Sequence, residues 1–323
     1  MSSRFSNKWN LIRLAISLIF IYILINKFFE LESLQILSSI SLGVIIVCLS
    51  LSLFAIIFKS LRWKYIIDMM EAKASIFLLF PLYTIGFYYG SISPGRVGEF
   101  MKGFYLTEHN IGSKKGLISV LYERIFDIST PLGLIVIYYL SNGHINLFIM
   151  LTSTFFLAII LWMLAIYFFV NLKNFKYFAP SVTILNNFKI KYNIKYILLS
   201  GTASIINWII IWISAYILLK ALGVVVPFSY MVFVNCIAML SLLIPISING
   251  WGIREAIYAS MFQPYCDPSI SIIFSVIFAF IGTYFPSIFG LIFELKFKRQ
   301  RNIGLSSQLL YFYIPVLSPS ACR

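Results

Sequence analysis

Charge is scarce in this sequence. Charged residues make up 11% of its 323 positions, where a soluble domain carries roughly 25%. Hydrophobic residues make up 60%, and the mean hydropathy is +0.92. A soluble fold is excluded on that balance, and apolar runs of about 20 residues place the chain in a bilayer. Cysteine and histidine are also few. Cys48, Cys236, Cys266 and Cys322 form no C-x-x-C pair and read as small buried hydrophobes. His109 and His144 stand alone in loops, away from any set of metal ligands.

Several catalytic signatures are missing. There is no H-E-x-x-H, no G-x-S-x-G, no Walker loop and no dinucleotide fingerprint. No soluble domain is present to hold an ATPase or another enzyme. We therefore expect no metal and no cofactor, and a function nearer to transport than to catalysis. Energy would come from a gradient, from a partner, or from the substrate's own gradient.

Acids are scarcer than bases, with 11 Asp and Glu against 25 Lys and Arg, a net charge of +14. Nucleic-acid binding would need a basic face on a soluble fold. Here the bases gather between apolar segments, which fits membrane orientation and attraction to anionic headgroups.

The apolar segments read as six full spans: Leu11–Phe29, Leu34–Phe58, Leu117–Leu140, Leu147–Leu172, Tyr196–Leu222 and Ser269–Leu295. The first lacks a small-x-small cleavage site, so we expect a retained helix rather than a signal peptide. The stretches Lys59–Lys73 and Lys173–Lys195 read as basic cytoplasmic loops. Two further apolar segments look interrupted. Ser75–Ile92 contains Pro81, Gly86 and Gly90, and it runs into Pro94, Gly95, Arg96, Gly98, Glu99 and Lys102. Ser229–Ile248 carries Pro245 and runs into Gly250, Gly252, Arg254 and Glu255. Each is expected to enter the membrane and turn back. For the second, full crossing would leave Lys296, Lys298, Arg299 and Arg301 outside, against the charge rule.

The expected architecture is an all-α polytopic membrane protein, with six full spans plus two re-entrant broken hairpins in an inverted-topology repeat. One transmembrane domain covers 1–301, with repeats at about 11–140 and 147–295, followed by a short tail at 302–323. Both termini are expected in the cytoplasm, in a cell (inner) membrane. In such repeats the discontinuous helices of the two halves build the substrate site.

The candidate substrate-binding residues are Arg96, Glu99, Lys102, Glu123, Arg124, Asp127, Arg254 and Glu255. The candidate backbone breaks are Pro94, Gly95, Gly98, Pro245, Gly250 and Gly252. Ionisable groups within membrane segments are costly and mark function. Arg96 and Glu99, at i and i+3, are able to pair on a helical return limb. Glu123 and Asp127 share one helix face, free to neutralise Arg96 or Lys102 or to carry a proton. The same set would also be tolerated at a solvated interface. Arg254 and Glu255 are neighbours and are not expected to face each other on a helix. Arg254 is expected to contact an anion from the side opposite Arg96.

The run Pro94-Gly95-Arg96-Val97-Gly98-Glu99, the set Glu123-Arg124-x-x-Asp127, and the stretch from Pro245 to Gly250-x-Gly252-x-Arg254-Glu255 resemble the membrane region of lysylphosphatidylglycerol synthases. The resemblance covers about residues 10–297. It implies a flippase-like domain of a bacterial or archaeal inner membrane. Full-length synthases add an aminoacyl-transferase domain, which we do not expect this chain to share because it ends soon after its last span. The first expectation is translocation of a phosphate-headed lipid or lipid-linked envelope precursor. The alternatives are a membrane enzyme on a polyprenyl-phosphate or phospholipid substrate, glycosyltransferase-like with Glu99 or Asp127 as base, and a non-transporting subunit of envelope biosynthesis. The expected partners are a membrane lipid or lipid-linked substrate and possible envelope-biosynthesis proteins, with no nucleic acid.

Overall fold

The computed structural model describes residues 40–93, 95–106, 111–143, 193–242, 247 and 249–297. Of the expectations above, the span Leu11–Phe29, the start of the second span, the span Leu147–Leu172, most of the basic stretch Lys173–Lys195 and the tail 302–323 lie outside them. So do Pro94, Pro245, His109, His144 and Cys322.

The described residues are helical throughout, with no strand. The helices are α1 (Leu42–Met69), α2 (Ile76–Ser91), α3 (Met101–Tyr105), α4 (Ser113–Ser141), α5 (Ile194–Ala221), α6 (Phe228–Ser241), α7 (Ile253–Met261) and α8 (Pro268–Phe297). Three of them, α1, α5 and α8, are long and apolar enough to cross a membrane. α4 has 29 residues, about 43 Å at 1.5 Å per residue, but carries Glu123, Arg124 and Asp127.

Side-chain caps set several helix starts. Ser41 accepts from the Val44 amide at 3.4 Å, Ser75 from Phe77 at 3.3 Å and Asn193 from Lys195 at 3.0 Å. Each satisfies one of the amides that a helix start leaves without a partner. Pro268 opens α8 behind Asp267, where its missing N–H costs nothing.

Here two sequence expectations are corrected. α1 does not stop at Phe58; it runs unbroken to Met69. Lys59, Arg62 and Lys64 are therefore helical rather than in a loop. Lys64 pairs with Asp68 at 2.6 Å, one turn on, which favours continuing the helix. Nor do Pro81, Gly86 and Gly90 interrupt the next segment, because α2 passes through all three. The two glycines instead make room for the returning chain, Gly86 for Lys102 of α3 and Gly90 for Glu99 just before it. A Cβ at Gly86 would stand 2.8 Å from Cβ of Lys102, and one at Gly90 would stand 2.5 Å from Cγ of Glu99. The chain returns antiparallel along α2, with Gly98 so close to the Tyr89 carbonyl that any Cβ there would collide with it.

α6 and α7 form a second antiparallel hairpin. Tyr258 donates to Asn235 Oδ1 at 2.7 Å, and Tyr230 donates to the Met261 carbonyl at 2.7 Å. Each half thus follows one order: long helix, hairpin, long helix. α1 and α5 pack along each other in opposite directions. Cys48 meets the Ser214 carbonyl near one end, and Arg62 meets Ser204 near the other. α4 packs on the second hairpin, where Tyr138 stacks on Phe233 with ring centroids 4.3 Å apart. α8 packs on the first hairpin, where Glu294 accepts from Tyr89 at 2.7 Å and from Tyr105 at 2.7 and 2.8 Å. Each terminal long helix is therefore seated on the hairpin of the other half.

Candidate functional site

The two hairpin turns use the same backbone device. Gly95 and Arg96 have φ of +58° and +55°, and Asn249, Gly250 and Gly252 have φ of +48°, +72° and +86°. Left-handed conformation is free for glycine and costs other residues about 1 kcal/mol. Arg96 and Asn249 both adopt it, which marks the two turns as places where position outweighs propensity. In the first turn, Ser93 Oγ accepts from the Gly98 amide at 2.7 Å. In the second, Asn249 and Trp251 both donate to the Tyr284 hydroxyl. Tyr284 closes a π turn, Phe280–Tyr284, within α8; such turns are frequent at functional sites.

Around the first turn lies a buried ion network. Arg62 Nη2 reaches Glu123 Oε1 at 2.8 Å and Asp127 Oδ1 at 2.7 Å. Lys102 pairs closely with Glu123 and stands 3.8 Å from Glu99. Arg124 pairs closely with Glu99 and lies 3.4 Å from Asp127. Arg96 Nε lies 2.8 Å from Glu99 Oε1. Arg62, Lys102 and Glu123 have no exposed side-chain surface. Lys102 also sits 3.9 Å from the Tyr83 ring centroid, a cation–π contact. Taking these charges out of water is costly, and each is repaid only by a specific partner.

In the second hairpin, Arg254 and Glu255 are both buried and paired, at 2.5 Å. This corrects the expectation that neighbouring residues would diverge. The rule holds within a helix, but Glu255 sits in the first turn of α7. Its carboxylate folds back to accept from the Gly252 amide at 2.7 Å, the capping-box geometry, which brings it within reach of the guanidinium. Ser275 of α8 completes the set, accepting from Arg254 Nε and donating to Glu255, both at 3.0 Å.

Between the two hairpins opens a cleft. Its walls come from both halves: Ser52 and Lys59 of α1, Phe87 and Arg96 of the first hairpin, Ser214 of α5, Arg254 of the second hairpin, and the π turn of α8. Among the described residues three cations line it and no carboxylate does. Arg96 and Arg254, expected to act from opposite sides, thus share one cleft. Arg96 lies over the Phe87 ring at 4.6 Å. Its Nη2 is buried and has no hydrogen-bond partner among the described residues.

Of the eight candidate side chains, Arg96 and Arg254 reach the cleft wall. Glu99, Lys102, Glu123, Arg124, Asp127 and Glu255 stand behind them as the ion network and the Arg254 clamp. Among the described residues no group of three or more His, Cys, Asp or Glu is placed to hold a metal. Sequence reasoning missed three charged residues. Lys59 and Arg62 read as part of a loop because basic clusters signal cytoplasmic segments. The i, i+3 spacing from Lys59 to Arg62, continued by Ser60 and Trp63 on the buried side, was the available signal. Glu294, 2% exposed, was hidden beside the basic end of the last span.

The lysylphosphatidylglycerol synthase TM region matches residues 10–290. The chain belongs to this family. It is a helical membrane protein, with three described helices fit to span a bilayer. The stretches whose sequence resembles the lysylphosphatidylglycerol synthase TM region fall on the structural features just described: the two turns, the Glu123–Asp127 face of α4 and the Arg254–Glu255 clamp. Among curated proteins, none matches the chain.

Proposed function

We propose that this member of the lysylphosphatidylglycerol synthase TM family carries a phosphate-headed lipid, or a lipid-linked envelope precursor, from one membrane leaflet to the other. The observation that carries this reading is the cleft itself, walled by both hairpins and lined, among the described residues, by Lys59, Arg96 and Arg254 without a carboxylate. An arginine fork matches phosphate geometry, and it binds most strongly where water is excluded. Glu99 and Glu255 hold the two arginines in place, while Lys102, Glu123, Arg124 and Asp127 balance the buried charge behind them.

In this reading the halves form an inverted repeat. α1 and α5 run antiparallel along each other, and each terminal long helix grips the hairpin of the other half. The hairpins are re-entrant and meet at the cleft. Rocking one half against the other opens the cleft to one leaflet and then to its opposite. The acyl chains stay in lipid while the headgroup passes the arginines. The protein sits in the cell membrane with both termini in the cytoplasm, as the basic segments favour.

The test is translocation in proteoliposomes that carry a fluorescent phosphate lipid, read by quenching from outside. Arg96→Ala and Arg254→Ala are expected to slow translocation at least about tenfold, the loss of a charge-assisted phosphate contact. Undiminished translocation by folded variants would overturn the reading.

A further inference from the structure

Charge balance at the cleft points to a specific headgroup class. The turns, the ion network and the cleft together hold six cations: Lys59, Arg62, Arg96, Lys102, Arg124 and Arg254. They hold four carboxylates: Glu99, Glu123, Asp127 and Glu255. With Lys59 protonated, the surplus is two positive charges. Among the described residues no further acid is at hand to cancel them. Of the chain's 11 acidic residues, Asp68 pairs with Lys64, Glu71 is exposed, Asp267 caps α8 and Glu294 faces Tyr89 and Tyr105. Glu30, Glu32 and Glu108 lie outside the described residues and outside the apolar spans.

Lys59 focuses that surplus. It lies on the cleft wall, its ammonium 5.1 Å from the Phe87 ring centroid. Among the described residues it has no carboxylate within 4.0 Å, while Arg96 and Arg254 each have one. An ammonium is a compact point charge that adds attraction for charge density rather than for planar geometry. The unpartnered Nη2 of Arg96 adds a second unmet demand at the same wall. A phosphodiester brings one negative charge, and a phosphate monoester brings about −1.5 to −2 at neutral pH. Only the latter, or a diphosphate, matches the surplus.

We propose that the Lys59–Arg96–Arg254 cleft selects a doubly charged phosphate head, a phosphate monoester or diphosphate, over a singly charged phosphodiester. This rests on the reading that a phosphate occupies the cleft. Lys59 is the discriminating residue, and the arginines hold any phosphate.

The experiment measures binding to the full chain in nanodiscs of zwitterionic lipid. The probes are a long-chain isoprenyl monophosphate, the matching diphosphate, phosphatidylglycerol, and soluble pyrophosphate. The monophosphate and diphosphate are expected to bind at least about tenfold tighter than phosphatidylglycerol. Lys59→Met should shrink that preference to about threefold or less, with phosphatidylglycerol affected least. Lys59→Arg should retain it, and Lys59→Gln replaces the Met variant should that one not fold. Equal affinity for monophosphate and phosphatidylglycerol would overturn the inference and leave the phosphate reading standing. So would a Lys59→Met loss that falls on both alike. Binding of none of the probes would overturn the reading and the inference with it. Pyrophosphate alone binding as tightly as the lipid diphosphate would keep the charge preference and overturn the lipid as its source.

Discussion

Arg62 and Glu123 lie 61 residues apart in sequence and meet at 2.8 Å with neither side chain exposed. The pair joins α1 to α4, and Asp127 holds the same guanidinium at 2.7 Å. Removing one member of a buried pair leaves an uncompensated charge, at a cost of about 3–5 kcal/mol. Arg62→Met and Glu123→Gln should each lower the thermal midpoint in detergent strongly. Arg62→Met should be the milder when combined with Asp127→Asn, since both partners of that contact then go together. Melting curves of the purified variants check this.

The first hairpin depends on the absence of side chains at its interface. Gly98→Ala would drive a methyl into the Tyr89 carbonyl, which is backbone and has nowhere to go. That variant should lose folded protein, scored by monodisperse yield. Gly133→Ala is the contrast. It lies within α4 with nothing within 4 Å of the new Cβ. Alanine there should be neutral or stabilising by up to about 1 kcal/mol, through helix propensity.

The Arg254 clamp separates positioning from folding. Ser275→Ala removes two hydrogen bonds, both at 3.0 Å, and should cost about 1 kcal/mol of stability each at most. The guanidinium keeps Glu255, so binding of a phosphate lipid should weaken only a few-fold, about 1 kcal/mol. Glu255→Gln keeps an oxygen that caps α7 but loses the charge that holds Arg254, and should abolish binding. Lipid titrations of the two variants side by side distinguish these outcomes.

Arg96 and Arg254 share one cleft wall, and one ligand should shield both. Single cysteines placed at 96 and 254, in a background without the four native thiols, should both be protected by the same phosphate lipid. Protection of one alone would place the ligand elsewhere. Labelling rates with and without lipid provide the measurement.

Much of this arrangement was legible in the sequence where backbone and charge signals coincide. Gly95 beside Arg96, and Gly250 to Gly252 beside Arg254, announced two turns within apolar segments, and both turns exist. Glu123, Arg124 and Asp127 stood out as charges within a span, and they form the centre of the network. The contributions of Lys59 and Arg62 left only their i, i+3 spacing as a trace, because a basic cluster after 20 apolar residues has the same composition whether it leaves the membrane or folds against acids in a later helix. Only the partner helix decides, and pairing over 61 residues leaves no local trace. Gly86 and Gly90 misled for a related reason. Glycine weakens a helix in isolation, but here the close approach of the returning chain outweighs that cost. Arg254 and Glu255 were misjudged because the periodicity of a helix interior does not govern its first turn, where a capping carboxylate turns back.

The Arg62 contact also constrains the order of biogenesis. α1 leaves the ribosome well before α4, so when α1 reaches the insertion machinery neither Glu123 nor Asp127 has been made. An arginine at the centre of a lone helix raises the insertion free energy by about 2.5–3.5 kcal/mol, an upper bound for Arg62 in the last third of α1. The nascent chain must carry that unneutralised charge until α4 arrives. The C-terminal half of α1 therefore settles late, as a post-insertion step driven by its acidic partner. Truncated nascent chains ending before residue 123 should leave Arg62 accessible to water, and those extending past residue 127 should not.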